Sequence, residues 1–513
     1  MVTTLATRTP FPYNQIMLSK IFRSQKINNA AILLMLASGL SYAAGLARDR
    51  VLSTTFGATK YTDAYNASFL IPDLLFNLFI AGALSVAFVP VFTSYFKQNK
   101  EQAAKVANTI ITFGTLLLGV VGIILFFLTP YIIPAFLSHV DPVDHGMIIQ
   151  MTRIMLLSPI LFAISNALGS ILITQKHFIA YALSGFLYNL GIILGIIYLN
   201  EQFGIYAAAI GAVIGAFFHM FIRLLNIFSV KYKYKPTLAL RHKGVIKIFK
   251  LMIPKTVSLV AWQLMLWTYT FVAYGLGEGS VAAFNYARNL QSFPVSLFGI
   301  AFATAVFPFL TDHAHQKDSG KFSSDFQKSL EKILFFAIPA TVGMLVMSTE
   351  IIEVILKGGA FDDKAVSLTS LVLFFFALSI PIESVVHLFA RGYYAFKNTV
   401  TPMIFALAGY GVNIGFSIFA AKYIGVSAIP IAFLIGTTLQ LTLLIGFFSK
   451  KLTKFDFKKF LIKMLKIGLA TAIMALAVIF IPSILSTQFF LMQIFRIAVG
   501  GLLYLGIAYA LTK

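Results

Sequence analysis

Residues 104–128 read AKVANTIITFGTLLLGVVGIILFFL, with one charge, Lys105, beside the start. A helix rises 1.5 Å per residue, and ~20 mostly apolar residues cross the ~30 Å hydrocarbon core of a bilayer. A surface helix of a soluble domain is apolar on one face only, whereas this stretch is apolar on all of them. It is a membrane-spanning helix, because a segment in lipid must satisfy its own backbone hydrogen bonds. Working outward, similar runs separated by polar breaks predict spans at 27–47, 64–95, 104–128, 147–173, 178–199, 204–228, 251–276, 281–310, 329–349, 366–390, 401–421, 426–449, 460–482 and 489–511. Composition agrees: 59% of the 513 residues are hydrophobic and 11% charged, against about 25% charged in soluble chains. That balance excludes a secreted enzyme, a disordered regulator and a soluble nucleic-acid binder. The absence of cysteine excludes disulfides, thiolate metal sites and cysteine nucleophiles.

The formal net charge of +22 is distributed by topology. One set of gaps holds Arg8, Lys20, Arg23 and Lys26, then Lys97, Lys100 and Lys105, then Lys176. It continues with Lys231, Lys233, Lys235, Arg241, Lys243, Lys247 and Lys250, and later Lys450, Lys451, Lys454, Lys458, Lys459 and Lys463. The alternate gaps hold Asp141 and Asp144, Glu201, Glu278, a mixed 350–364 and an uncharged 483–488. This is the positive-inside pattern, and it places both termini in the cytoplasm. Lys and Arg are thus accounted for without nucleic acid. Ala43-Ala44-Gly45-Leu46-Ala47 has the composition of a signal-peptide cleavage site. The length of the first span and the basic stretch before it predict a retained helix instead.

An internal repeat organises the chain. Residues 83–93, ALSVAFVPVFT, answer 301–311, AFATAVFPFLT, with Pro90 and Pro308 in register. Upstream, Ala64-Tyr65-Asn66 answers Ala283-Phe284-Asn285; downstream, Lys176 answers Lys397 and Asn189-Leu190-Gly191 answers Asn413-Ile414-Gly415. The expected fold is an all-α integral membrane protein with fourteen spans. It has two parallel six-helix lobes, related by a pseudo-two-fold axis along the membrane normal, plus two C-terminal helices. The parts are a cytoplasmic basic N-terminus (1–26), an N-lobe (27–228), a basic cytoplasmic linker (229–250) with a short helix on the anionic leaflet, a C-lobe (251–449) and a final helix pair (450–513).

Ionisable residues inside spans are costly and are functional candidates by default. Arg48, Asp49 and Arg50 close the first span on the non-cytoplasmic side, where basic residues are disfavoured; Asp63 and Asp73 lie in the second. Arg288 stands in the eighth span before Pro294, with no acid close in sequence. Guanidinium offers a planar fork of donors that suits phosphate or pyrophosphate. The plainer alternative is a structural ion pair such as Arg48 with Asp63. Glu383, His387 and Arg391 recur at i, i+4 and i+8 on one face of the tenth span, the spacing of either a gating or proton relay or an interhelical network. Arg223 reads as an anchor at a helix end and His219 as a packing residue. No Gly-Lys-Ser/Thr phosphate loop and no His-Glu-x-x-His pair is present, so no enzyme chemistry, metal or cofactor is expected. Gly275 to Gly279 read as turns.

The residues around the first two spans carry a family resemblance. Gly45-Leu46-Ala47-Arg48-Asp49, Phe56-Gly57-Ala58, Thr62-Asp63-Ala64-Tyr65, Ile71-Pro72 and Gly82-Ala83-Leu84-Ser85 are joined by Ala87-Phe88-Val89-Pro90. Further along come Tyr286-Ala287, Phe293-Pro294, Gly359-Ala360-Phe361, Arg391-Gly392-Tyr393-Tyr394-Ala395 and Thr399-Val400-Thr401-Pro402. Together they make the chain resemble the MurJ (MviN) lipid II flippases of the multidrug/oligosaccharidyl-lipid/polysaccharide exporter superfamily. The resemblance implies two lobes around a cationic cavity, a groove for the polyprenyl tail formed with the last two helices, and alternating access. Arg48 and Asp63 carry over directly. Three further arginines expected from the family fall on Tyr42, on Phe76-Asn77 and on Asn289, with Arg288 one place earlier and therefore ~100° around the helix.

The expected activity is translocation of undecaprenyl-pyrophosphate-linked peptidoglycan precursor, lipid II, from the inner to the outer leaflet of the bacterial cytoplasmic membrane. Arg48, Asp49, Asp63, Asp73, Arg288 and Asn289 are the expected substrate-binding residues. Membrane potential or an unnamed ion would reset the empty carrier, since one charge moving through 100 mV gains ~2.3 kcal/mol. Expected partners are the glycolipid, membrane lipids and the cell-wall synthesis machinery. The alternatives are a flippase for another polyprenyl-linked oligosaccharide of O-antigen type, and a multidrug/cation antiporter, which wants an acidic, aromatic cavity. From another class, a membrane-embedded transferase would have only Asp141, Asp144 and His145 to use.

Overall fold

The computed structural model describes residues 27–78, 88–138, 141–175, 177, 179–230, 232–453, 455–480 and 489–512. Its helices in order are α1 (Ile27–Phe56), α2 (Lys60–Ser68), α3 (Leu70–Phe76), α4 (Val89–Gln98), α5 (Lys100–Phe136), α6 (Pro142–Met155) and α7 (Leu157–Thr174). Next are α8 (Ile179–Phe203), α9 (Tyr206–Ile227), α10 (Lys243–Tyr274), α11 (Ser280–Pro294), α12 (Ala301–His315), α13 (Ser319–Val346) and α14 (Ser348–Leu356). The last are α15 (Asp363–Ala377), α16 (Ile380–Ala395), α17 (Val400–Ile424), α18 (Ala428–Phe448), α19 (Phe457–Phe480) and α20 (Phe489–Thr512). No strand occurs among the described residues, only a bridge between Gly358 and Phe361. Among those residues, nine helices are long and apolar enough to cross a membrane, or ten if the bent pair α15–α16 is one span. Each of the fourteen predicted spans falls mostly on helix among its described residues, and fourteen crossings are compatible with this set. The basic N-terminus 1–26, Lys176, Lys231, Lys454, residues 483–488 and Gly82 to Ala87 of the repeat lie outside the described residues.

Polar residues stop and start the helices where backbone groups need partners. Asn99 caps α5 by accepting from the amides of Glu101 and Gln102, and Asp141 caps α6 through Val143. Asp318 caps α13 and Asp362 caps α15 in the same way. Proline marks the irregular points, since it removes a helical donor. After Pro294 the chain runs as π-helix from Val295 to Ile300 before α12 begins, and α15 and α16 meet at 43°.

The described residues up to Leu52, with Ser68–Gln263, form one compact unit, and Ser53–Ala67 with the residues from Leu264 onward form the other. The boundaries between the units fall inside α1, at the end of α2 and inside α10. In the first unit, Gly191 and Gly195 of α8 face Gly211 and Gly215 of α9 so closely that any Cβ would enter the opposing backbone. Lipid supplies no hydrophobic drive between helices, so close backbone approach over small residues must hold them. In the second unit, α17 and α18 meet over Gly409 and Gly436 in the same manner.

The repeat reappears in side-chain roles. The Asn189 amide donates to the carbonyl of Ser41 on α1, while Asn413 accepts from the Tyr269 hydroxyl of α10 at 2.6 Å. Each asparagine thus ties the fifth helix of its half to the first. Asn66 and Asn285 also match, each donating to the carbonyl four residues back at 2.8 Å.

The linker holds a short 3₁₀ turn (Phe228–Val230), then extended chain, and its last residues from Lys243 are helical as the first turns of α10. The extended part lies along polar rungs offered by α5. Tyr232 donates to Asn108, and the Tyr234 hydroxyl meets that of Thr112 at 2.8 Å. The amides of Thr237 and Ala239 donate to the hydroxyls of Thr112 and Thr109. His242 reaches Gln102 at 2.9 Å.

Candidate functional site

The turn between α1 and α2 is the most tightly built candidate, and its contacts lie within the second unit. Asp63, buried in the first turn of α2, accepts the Gly279 amide on Oδ2 and the Ala282 amide on Oδ1, both at 2.7 Å. Gly279 is the N-cap position of α11 and has no side chain to fill it. Asp63 supplies the missing cap from another segment, placing a carboxylate where a helix N-terminus favours negative charge. Around it, the Lys60 amide donates to Glu278, Ser53 donates to the Leu356 carbonyl at 3.0 Å, and the Ala360 amide donates to the Thr54 carbonyl at 2.9 Å. Gly57 (φ 71°) touches the Ala360 carbonyl, and Gly279 (φ 84°) touches that of Ala58. A side chain at either would collide, so three turns interlock only through glycine.

In the first unit, Arg48 directs Nε and Nη2 at one oxygen of Asp49, at 3.1 and 2.7 Å. The Asp49 side chain is buried and that of Arg48 is 23% exposed, so the acid orients the base while the guanidinium stays partly accessible. Asp73 is exposed on α3 between buried Pro72 and Leu75. Asp73 and Arg48 both act electrostatically on the Tyr188 hydroxyl of α8. Asn77, at the position where the resemblance expects arginine, donates to Gln263 of α10 at 3.1 Å.

In the second unit, Gln291 of α11 donates to the Ser379 hydroxyl at 3.0 Å and to the Glu383 carboxylate at 2.8 Å. Arg288 acts electrostatically on Glu383 and on Tyr269. Asn289 is half-buried one position further along α11, and its carbonyl accepts from Ser292. Arg391 stacks over the rings of Phe307 at 5.4 Å and Tyr394 at 6.0 Å. Of the i, i+4, i+8 set, Glu383 joins α11 through Gln291, while Arg391 packs on aromatic faces; His387, half-buried between them, also has partners.

A family model described as lipid II flippase MurJ matches residues 52–500. The chain belongs to the MurJ family. The lipid II flippase MurJ of Burkholderia cenocepacia is 28% identical over 378 residues, 72% of this chain and 73% of that protein. A solved structure described as lipid II flippase MurJ in an inward closed conformation aligns with a TM-score of 0.79 and 28% identity, over 93% of this chain and 98% of that one. An inward-facing MATE multidrug transporter of the MOP superfamily shares the fold at a TM-score of 0.69 and 14% identity. The MurJ family is one of membrane transporters, not of enzymes. Among the described residues no group of His, Cys, Asp or Glu has the arrangement of a metal site. Of the transferase candidates Asp141, Asp144 and His145, Asp141 is a helix cap and His145 bonds the Leu137 carbonyl.

The MurJ-family residues of the sequence acquire distinct physical jobs. Phe56-Gly57-Ala58, Thr62-Asp63 and Gly359-Ala360-Phe361 come together as the interlocked turns. Arg223, read from sequence as an anchor, is instead buried: it donates to the Ser165 carbonyl, Asn166 and Ser184 at 2.8–3.1 Å and lies over the Tyr181 ring. Its place on α9 beside Gly169, where there is no side chain to exclude it, explains the difference. His219 is a packing residue as expected, bonded to Ser165 and edge-on to Phe162. Sequence reasoning passed over Arg496 of α20, which donates to the Val478 carbonyl, Gln493 and Glu350. An arginine inside the span 489–511 was the available signal. It also passed over Glu331 of α13, buried and paired with Lys463 of α19 at 2.8 Å.

Proposed function

We propose that this chain moves lipid II from the inner to the outer leaflet of the bacterial cytoplasmic membrane by alternating access. Membership of the MurJ family supports the cargo class. The observation that carries the site is Arg48, a partly exposed guanidinium inside a span, oriented by a buried acid that leaves it charged and aimed. Bidentate donors of this kind recognise a pyrophosphate without needing a particular sugar. Arg48 in the first unit and Arg288 in the second each contribute a cationic group to binding, and Asp49, Asp73 and Asn289 shape their surroundings. Asp63 contributes by holding the turns shut on the non-cytoplasmic side, and these must part for release there. The positive-inside pattern supports cytoplasmic termini, and membrane potential supplies the reset.

The test is rescue of a bacterium depleted of its own lipid II flippase, with wild type, Arg48→Ala and Arg288→Ala at matched membrane levels. Rescue by wild type alone is the expected result. Failure of well-expressed wild type would refute lipid II as cargo. It would favour another polyprenyl-linked oligosaccharide, the reading to which Tyr42 and Asn77 lean because family arginines are replaced there.

A further inference from the structure

Glu383 sits where two helices lose their regular geometry. Its own helix starts at a 43° bend, with Ser379 at the N-cap. Opposite, the π-helical segment Val295–Ile300 follows Pro294, and Gly299 within it lies so close to Ser384 that a Cβ would meet the Ser384 Cα. Broken and π-helical segments are the places where a helix can change shape. Gln291 fastens the two by bonding both Ser379 and Glu383.

The charged and titratable groups facing Glu383 come from three other helices and its own. Arg288 stands one turn before Gln291 on α11 and so shares the helix face that bonds Glu383; Tyr269 of α10 and Tyr410 of α17 border the same carboxylate, and His387 follows one turn along α16. Residues 333–346 of α13, all of α18 and the π segment bring none, and Asp312, His313 and His315 of α12 lie beyond Phe307, which already sits against Arg391 two turns from Glu383. A carboxylate inside a span is tolerated as an anion when a cation neutralises it, and Arg288 is the cation within reach. Any anion that draws the Arg288 guanidinium to itself removes that neutralisation and adds a repelling charge.

We propose that Glu383 is a proton-binding site linked to anion binding at Arg288. On anion binding the carboxylate takes one proton from water and becomes the neutral acid; on anion release Arg288 returns and the proton leaves. Only an O–H bond forms or breaks. Because linkage is reciprocal, a bound proton strengthens anion binding by the factor by which the anion strengthens proton binding. Placed between a bend and a π segment, the proton biases the shape of α11 and α16 together. This inference rests on the reading of Arg288 as a cargo-binding residue.

The test uses the full chain in nanodiscs and a water-soluble short-chain analogue of lipid II, whose pyrophosphate diester keeps its charge between about pH 5.5 and 8. Wild type should bind more tightly as pH falls, by up to ~10-fold per unit, and calorimetry in two buffers of different ionisation enthalpy should show proton uptake. Glu383→Gln should bind tightly with no pH dependence, and Arg288→Gln should bind weakly. Retention of the wild-type pH profile by Glu383→Gln would assign the proton to His387 and overturn the proposal while leaving Arg288 in the site. Zero proton uptake by wild type would overturn it without recourse to any variant. Equal binding by Arg288→Gln and wild type would remove Arg288 from the site, and this inference with it.

Discussion

Replacing Asp63 by asparagine should release one of the two amides, that of Gly279 or Ala282, that it caps. Each carboxylate oxygen accepts one of them at 2.7 Å, and the side chain is buried, so water cannot take over either bond. Asparagine keeps one acceptor and turns an NH₂ group toward the other amide, setting donor against donor. A hydrogen bond to a charged acceptor contributes about 1.5–3 kcal/mol, and the lost charge at the start of α11 adds about 0.3–1 kcal/mol. The combined cost of about 2–4 kcal/mol corresponds to a ~30- to ~700-fold rise in local opening. Hydrogen–deuterium exchange of the peptide covering residues 277–284 reads this directly, since the two amides are the donors in question. Protection should fall by that factor there, while amides in the α8–α9 pair stay unchanged. A change of less than about threefold would refute the assignment of Asp63 as the cap of α11.

Two further outcomes follow from side chains outside that turn. Arg496→Met leaves Glu350 without its partner and strips the Val478 carbonyl of two donors, so thermal unfolding should show a loss of about 2–4 kcal/mol. Arg496→Met with Glu350→Met should recover much of it; a double variant no better than the single would show that the ion pair is not the source. His242 accepts from the Gly244 amide on Nδ1 and meets Gln102 with Nε2, so its ring is held neutral. Burial and then Lys105 keep its pKa below the usual 6.5. A depressed histidine supports the fold above its unfolded value and loses that support as pH falls through 6.5 toward the folded value. Exchange protection of residues 232–246, corrected for intrinsic rate, should therefore drop between about pH 7.5 and 5.5; unchanged protection would refute this tautomer and its role.

Much of the candidate site was legible because a charge in lipid is conspicuous. Arg48, Asp63, Arg288 and Glu383 stood out by the same rule, and the structure gives each a partner or a charged neighbour. Arg496 obeyed the rule too and needed only to be noticed. Arg223 was misread because its distance from the helix end predicts snorkelling, and only the glycine opposite makes room for burial. The extended course of the linker before Lys243 was not legible, because hydroxyls on α5 pair with its backbone and sequence spacing does not reveal them.

Hydropathy is a local property summed over about twenty residues, and the sequence alone therefore determined the all-helical membrane fold, the positions of the spans, their expected orientation and the internal repeat. Pairing is not local. Asp63 finds its amides more than two hundred residues away, and a carboxylate that caps a helix has the same sequence signature as one that positions a ligand. Tertiary structure alone decided that Asp63 caps α11, that three glycine turns interlock, and that Glu383 lies between a bend and a π segment. Those outcomes depend on which backbone groups are left without a helical partner, and that is settled only when the helices pack.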